Sequence, residues 1–421
     1  MSKERIVQDM IARRRDFHQY PEAGWEEYRT TAKIAEILMA LQYDVHFASE
    51  CLKPADVMGH TADVKAEQKR AVEQGANPSL VRLCGDYTGL YADFDTQRPG
   101  PFTVLRFDID CVETAESESP NHRPFREGFA SRNPGRCHAC GHDGHTAIGL
   151  ALAELLKEDR GLKGKIRLIF QPAEEGVRGG YAMTQGGILD GADYFFALHL
   201  GLGFPGGAVY GGLGGFLCST KFDAAFTGYG AHAGMEPEKG RNALLGAATA
   251  AINLYAIAPH SGGKTRINVG VLTAGEGRNV IPPKAYMKIE TRGETNETAE
   301  YIYRRSVEIL EGSANMFGLD LVIAKQGETN TAESSPDLAE LVAEEARSLP
   351  GITAEPFRRM SGSDDATWMM KRVQDGGGKA VYIAVGAAIS AGHHNEAFDF
   401  DEAALPVALE TLYRTIKRLH I

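Results

Sequence analysis

Between residues 104 and 199 the chain alternates short, unbroken apolar runs with one stretch of helical period. Val104–Asp108 and Ile166–Phe170 read as buried strands and Thr146–Leu156 as the helix between them, while Phe195–Leu198 is a further run ending at His199. An apolar run this short, with no polar alternation, is a strand without a solvent face. Strands alternating with helices imply an α/β layer built on a largely parallel sheet. In such sheets the functional side chains gather beyond the carboxyl ends of the strands. Asp108, Asp110, Glu174, Glu175 and His199 all fall there.

The pattern changes near Ser219. Strand (Phe222–Thr227), helix (Asn242–Ile257), strand (Arg266–Leu272), strand (Ala285–Glu290), helix (Thr298–Met316) and strand (Leu319–Ala324) follow in order. That β-α-β-β-α-β series is the ferredoxin-like split motif, here inserted into the first domain. The chain then returns to a helix (Pro336–Ser348), the strand Ala380–Val385 and a closing helix from Glu402 to Leu419. The expected division is 1–217 with 328–421 for the outer domain and 218–327 for the inserted one. At the N-terminus, Pro21 and Gly24 break the helical period of Ile6 to Leu41 into two helices. Residues 51–100, rich in Lys, Glu, Gln and Ala, read as a helical insertion ahead of the Val104 strand. A chain of 421 residues exceeds one ordinary core, so two or three domains are the natural division.

Charge and composition narrow the partners. A net charge of −11 lacks the basic footprint of a nucleic-acid binder. No segment has the apolar length of a membrane span, and the first residues carry no apolar signal core. Six cysteines in so long a chain do not make a disulfide scaffold, so reduced thiols in the cytoplasm are expected.

Chemistry is concentrated in Cys137-His-Ala-Cys-Gly-His-Asp-Gly-His145, where five soft or borderline ligands occupy nine residues. Glu174-Glu175 follows, bracketed by Pro172 and Gly176. Adjacent carboxylates repel, and a nearby cation is the common reason to keep both. A catalytic metal site leaves one position open and needs a base beside it, so hydrolysis is the leading chemistry. Cys137-x-x-Cys140 also reads as a redox pair or half a zinc knuckle. His199 also reads as a satisfied core histidine. His393-His394, in a loop after a strand, has little packing rationale.

These residues carry a resemblance. The matching pieces are Arg-Arg-Asp-Phe-His-Gln-Tyr-Pro-Glu (14–22), His-Ala-Cys-Gly-His-Asp-Gly-His-Thr-Ala (138–147) and Gln-Pro-Ala-Glu-Glu-Gly (171–176). Gly-Ala-His-Ala-Gly (230–234), Arg-Asn-Val-Ile-Pro (278–282) and His-Asn-Glu-Ala-Phe-Asp-Phe-Asp-Glu (394–402) continue the series. The chain resembles the di-metal aminoacylase and glutamate-carboxypeptidase superfamily, in its indole-acetyl-amino-acid and hippurate hydrolase branch. The resemblance implies a two-domain fold: a mainly parallel-sheet, metallopeptidase-like catalytic domain with an inserted ferredoxin-like lid and dimerisation domain. It implies two divalent metal ions, zinc or manganese, held by Cys140 as a bridging thiolate with His142, Glu175, His199 and His394. Asp108 or Asp110 would support them, and Glu174 would be the general base. His232 would stabilise the oxyanion in a partner subunit's site. Asn279 and Arg292 would hold the substrate's free carboxylate, although Arg292 also reads as a surface strand charge. Gly362-Ser363-Asp364-Asp365 matches a substrate-lining loop. His138, His145 and His393 receive no role.

The expected activity is hydrolysis of an N-acyl or N-aroyl amino acid, with p-aminobenzoyl-glutamate-like molecules the best fit. A dipeptidase or general N-acyl-amino-acid deacylase is the alternative, and a silent auxiliary subunit of a hetero-oligomer is a third reading. The partner is a second copy or a homologous subunit.

Overall fold

The structure, a computed structural model, describes residues 3–421. The chain forms two compact units. One comprises the chain up to Gly214 with Ala332–Met360 and Asp365–Ile421; the other comprises Gly215–Thr331 and Ser361–Asp364.

The larger unit is built on an eight-stranded sheet. Its centre is the parallel series Lys165–Gln171, Phe102–Asp108, Tyr194–Leu200 and Lys379–Val385. Beyond Lys165–Gln171 lie Leu90–Asp95 and Asp44–Phe47, both joined antiparallel. Beyond Lys379–Val385 lie Ala208–Tyr210, antiparallel to it, and Thr353–Glu355. The central strands are buried almost throughout, as their unbroken apolar runs require. The helix His142–Glu158 is buried along nearly its whole length. Lys3–Gln19 and Ala404–His420 also contribute apolar faces to the same core.

One expectation needs correction. The 51–100 stretch is helical only in part: Val64–Glu73 and Pro78–Leu83 are helices, but Leu90–Asp95 is a strand of the main sheet. Its acidic residues disguise it. Asp93 is paired across the sheet with two Arg167 guanidinium nitrogens at 2.7 Å and with Lys165 at 2.7 Å, so the charge sits comfortably in a strand.

The smaller unit has a four-stranded antiparallel sheet in the order Asp320–Thr329, Cys218–Thr227, Lys284–Gly293, Thr265–Ala274. Alternate residues Phe222, Ala224 and Phe226, with Ala285, Met287 and Ile289, pack on the helices Ala243–Leu254 and Asn296–Phe317. The helices start at Asn242 and Thr295, whose side chains accept the backbone N–H groups of Leu245 and Thr298. Helices on one face leave the other face of the sheet open. Thr265–Ala274 is an edge strand with exposed Val271 and Leu272.

Candidate metal centre

The parallel strands end together, and the turns that follow them bring the polar side chains to one place. Phe102–Asp108 runs into Asp108 and Asp110, Lys165–Gln171 into Glu174 and Glu175, and Tyr194–Leu200 carries His199. The fourth contribution precedes a helix. Gly141, in the left-handed region at φ +95°, turns the chain between Cys140 and the first helical residue, His142. A residue with a Cβ adopts that geometry only under strain. His394 is itself left-handed, at φ +66°.

The five expected ligands and Glu174 converge. Cys140 Sγ lies 3.5 Å from His199 Nε2. The ligand atoms of Cys140, Glu175 and His394 lie within 4.8 Å of one another, as do those of His142, Glu174 and Glu175. His394 Nε2 is 3.1 Å from Glu175 Oε1. Cys140 and Glu175 are the links between these groups.

Hydrogen bonds decide which ring nitrogen is free. His142 Nδ1 donates to Asp110 O at 2.9 Å and His199 Nδ1 to Leu200 O at 2.8 Å, so each Nε2 presents a lone pair. His142 Nε2 is buried without a hydrogen-bond partner and faces Asp108 Oδ2 at 3.8 Å and Glu174 Oε2 at 3.9 Å. Orphaned and aimed at carboxylates, that nitrogen has the arrangement of a ligand atom. His145 does not: its Nδ1 meets Asp108 at 2.6 Å and its Nε2 accepts the Leu200 N–H at 3.0 Å. Neither nitrogen of His138 has a partner, and burial pushes its pKa down to about 3, which keeps the ring neutral.

Asp108 and Asp110 both support the cluster. Asp110 binds the Glu175 N–H at 2.9 Å while its carbonyl orients His142. Asp108 holds His145 and accepts from Arg106 at 2.7 Å. The charges are consistent with a site for cations. Burial, with Glu175 nearby, drives the Cys140 thiol well above its ordinary value. Burial alone would lower His142, yet Asp108 and Cys140 outweigh it and leave the ring well above its usual range. The Cys140 shift records burial first, and the His142 shift records the negative charge around Nε2, where a cation would take the place of a proton.

Sequence reasoning gave no individual role to four contributors. Arg106, buried in the centre of a strand, ties Asp108, Gln171 and Asp365. A lone Arg inside an apolar run was the available signal, since Arg is almost never buried unpaired. Asp365, expected on a substrate-lining loop, is buried and bonded to Gln171 and to the Gly180 N–H. Arg178 donates to Glu175 O at 2.9 Å and to Gly59 O at 3.2 Å, which ties the 51–100 stretch to the metal loop. The fourth is His393, with Nδ1 3.6 Å from Cys140 Sγ.

In the smaller unit, His232 is exposed in a loop paired with the segment at Val280. Ala233 N–H donates to Asn279 O at 3.0 Å, so His232 and Asn279 stand together. Arg292 does not stand with them. It is eight residues along the strand from Lys284, about 26 Å at the usual rise. There it pairs with Glu290 at 3.0 Å on the open face of the sheet. The expected pair of Asn279 and Arg292 is therefore divided between opposite ends of the unit.

Among the described residues no helix is long and apolar enough to cross a membrane. Known proteins are similar to this chain over nearly its whole length. Indole-3-acetyl-aspartic acid hydrolase of Enterobacter agglomerans is 48% identical over 97% of this chain and 95% of its own length. A p-aminobenzoyl-glutamate hydrolase subunit of Escherichia coli (strain K12) is 47% identical over 96% and 94%. The crystal structure of an aminobenzoyl-glutamate utilization protein from Klebsiella pneumoniae superposes with a TM-score of 0.85 at 38% identity, covering 99% of this chain and 96% of the other. Residues 104–418, which include every candidate ligand, match the model of peptidase family M20/M25/M40, and the chain belongs to that family.

Proposed function

We propose that this chain is a metal-dependent amidohydrolase that cleaves N-acyl or N-aroyl amino acids, with an aromatic acyl group and an acidic amino acid as its substrate. The observation that carries this reading is the convergence of Cys140, His142, Glu175, His199 and His394, with the free nitrogens of His142 and His199 set by backbone hydrogen bonds. The named substrates of the two relatives at 47–48% identity supply the class: an indole-acetyl or aminobenzoyl group on aspartate or glutamate.

The donor set of thiolate, imidazole and carboxylate suits zinc and also admits manganese. Two divalent ions held by Cys140, His142, Glu175, His199 and His394 would supply a water of lowered pKa and polarise the scissile carbonyl. Glu174 is placed to take a proton from the attacking water and would pass it to the departing amine nitrogen. Asp110 keeps both His142 and Glu175 oriented meanwhile, through one carbonyl and one carboxylate oxygen. His232 donates to the oxyanion in the site of a partner subunit, and Asn279 travels with it on the paired loop. Arg292 binds the substrate carboxylate. Its planar fork suits that task, and Glu290 holds it until substrate arrives.

This reading needs a second subunit, either another copy or a homologous chain; the Escherichia coli relative is itself named as one subunit of its enzyme. The smaller unit offers the surface: an unpaired edge strand with exposed Val271 and Leu272, beside a helix exposing Leu245, Ile252 and Tyr255. Six thiols without a disulfide suit the cytoplasm.

The test is a panel of N-acylated amino acids on metal-reconstituted protein, including p-aminobenzoyl-glutamate and indole-3-acetyl-aspartate. Turnover of the aroyl and indolyl acidic substrates, abolished by chelation, is expected. Preference for dipeptides or short N-acetyl amino acids would favour the dipeptidase or deacylase alternative. Full metal loading with no turnover of any member would leave the auxiliary-subunit reading.

A further inference from the structure

His393 stands among the candidate ligands, but its hydrogen bonds give it a different task. In His142 and His199 a carbonyl oxygen faces Nδ1, so the proton is there and Nε2 is left as a lone pair. In His393 the order is reversed. Its Nε2 lies 3.0 Å from the Leu202 backbone N–H, which can only donate. The Nε2 lone pair is engaged, and a neutral ring therefore keeps its proton on Nδ1. That Nδ1 is the atom 3.6 Å from Cys140 Sγ. It offers the sulfur a proton and has no lone pair for an ion.

The ring is firmly seated. It lies edge-on to His199 with centroids 5.3 Å apart and tilted against Phe398 at 4.8 Å. Gly201, left-handed at φ +79°, leaves the space it needs, since a Cβ there would come within 3.1 Å of His393 Nε2. Turning the ring over would place a carbon against the Leu202 N–H and leave that partly buried donor without this partner.

We propose that His393 is a positioning residue: its Nδ1–H donates a hydrogen bond to the Cys140 thiolate and it is not itself a ligand. The inference rests on the reading of Cys140 as a thiolate shared by two ions. Such a sulfur directs two of its three lone pairs at the ions, and the third would otherwise be buried without a partner. The N–H···S bond satisfies it, fixes the direction of the other two and withdraws electron density from the sulfur.

The experiment uses the full chain loaded with cobalt(II), reading the thiolate-to-cobalt charge-transfer absorption and the bound cobalt. His393→Phe keeps an aromatic ring in the same seat but has no donor; His393→Leu serves the same purpose should the larger ring disturb folding. Either variant is expected to hold as much cobalt as the unsubstituted protein and to move the band to longer wavelength, because a sulfur without the hydrogen bond gives up an electron more readily. His393→Asn, whose amide N–H sits close to the position of Nδ1, is expected to return the band toward its original position. A purely structural role would not produce that order. Loss of a cobalt equivalent in the apolar variants would make His393 a ligand and overturn the inference, as would a band that stays in place. Absence of any such band in the unsubstituted protein would instead overturn the thiolate reading and this inference with it.

Discussion

Glu174 and Glu175 are neighbours with different surroundings. Glu175 is anchored at its backbone N–H by Asp110, at its carbonyl by Arg178, and faces His394, while Glu174 is nearly buried with an oxygen turned toward His142. Glu174→Gln should therefore retain both metals and lose at least about two orders of magnitude in kcat, the usual share of acid–base catalysis. Metal analysis beside steady-state kinetics checks it; metal loss in this variant would exchange the two roles. Cys140→Ser should sharply reduce bound metal, because a hydroxyl is not ionised near neutrality, while Cys137→Ser should leave metal content unchanged. Equal loss in both would restore the Cys-x-x-Cys reading. His18 is buried between Glu116 and Asp143 of the helix His142–Glu158, at 2.8 Å from each. Burial lowers its pKa, but the two carboxylates more than reverse this and raise it to about 9. A raised histidine stabilises the fold fully below its unfolded value near 6.5 and loses that contribution as pH climbs through 9. Denaturant titrations should show stability falling by up to about 3 kcal/mol over that window, and His18→Gln should flatten the fall.

Among the elements, the central strands were legible and the outer ones were not. Phe102–Asp108 and Lys165–Gln171 are buried on both faces, so their apolar runs needed no context. Leu90–Asp95 depends on Arg167 and Lys165 of its neighbour to accept its acidic residues, and no pattern inside its six residues announces that. Ala208–Tyr210 and Thr353–Glu355 are each three residues long and exist as strands only because a partner is present. Arg106 belongs at this scale because it joins the ends of several elements through Asp108, Gln171 and Asp365. Replacing it with Met leaves buried carboxylates without their cation. Urea unfolding of Arg106→Met should show a loss of about 3–5 kcal/mol, the cost of breaking rather than replacing a buried pair.

For the whole molecule the decisive question is whether the site belongs to one chain. His232 and Asn279 occupy one end of the smaller unit and Arg292 the other, so one copy does not present them together. His232→Ala and Glu174→Gln proteins should each be nearly inactive. Mixed and allowed to exchange subunits, they should recover activity, because one site of each mixed pair has its own Glu174 and an intact His232 from the other chain. Loss of one oxyanion donor costs about a hundredfold or more, so the recovery stands clear of background. If exchange is confirmed and the mixture stays inactive, His232 acts within its own chain or not at all.

The sequence by itself determined the α/β alternation, the inserted β-α-β-β-α-β order and the positions of the candidate ligand residues, because burial on both faces and short-range motifs are written in consecutive residues. It also kept Glu174 and Glu175 side by side. What only the tertiary structure decided is which histidine nitrogen carries a proton, since that depends on a carbonyl or an amide brought in from another turn. Leu202 N–H reaches His393 across 191 residues of chain and Asp110 O reaches His142 across 32. A tautomer is a property of those meetings, and a linear pattern contains no trace of them.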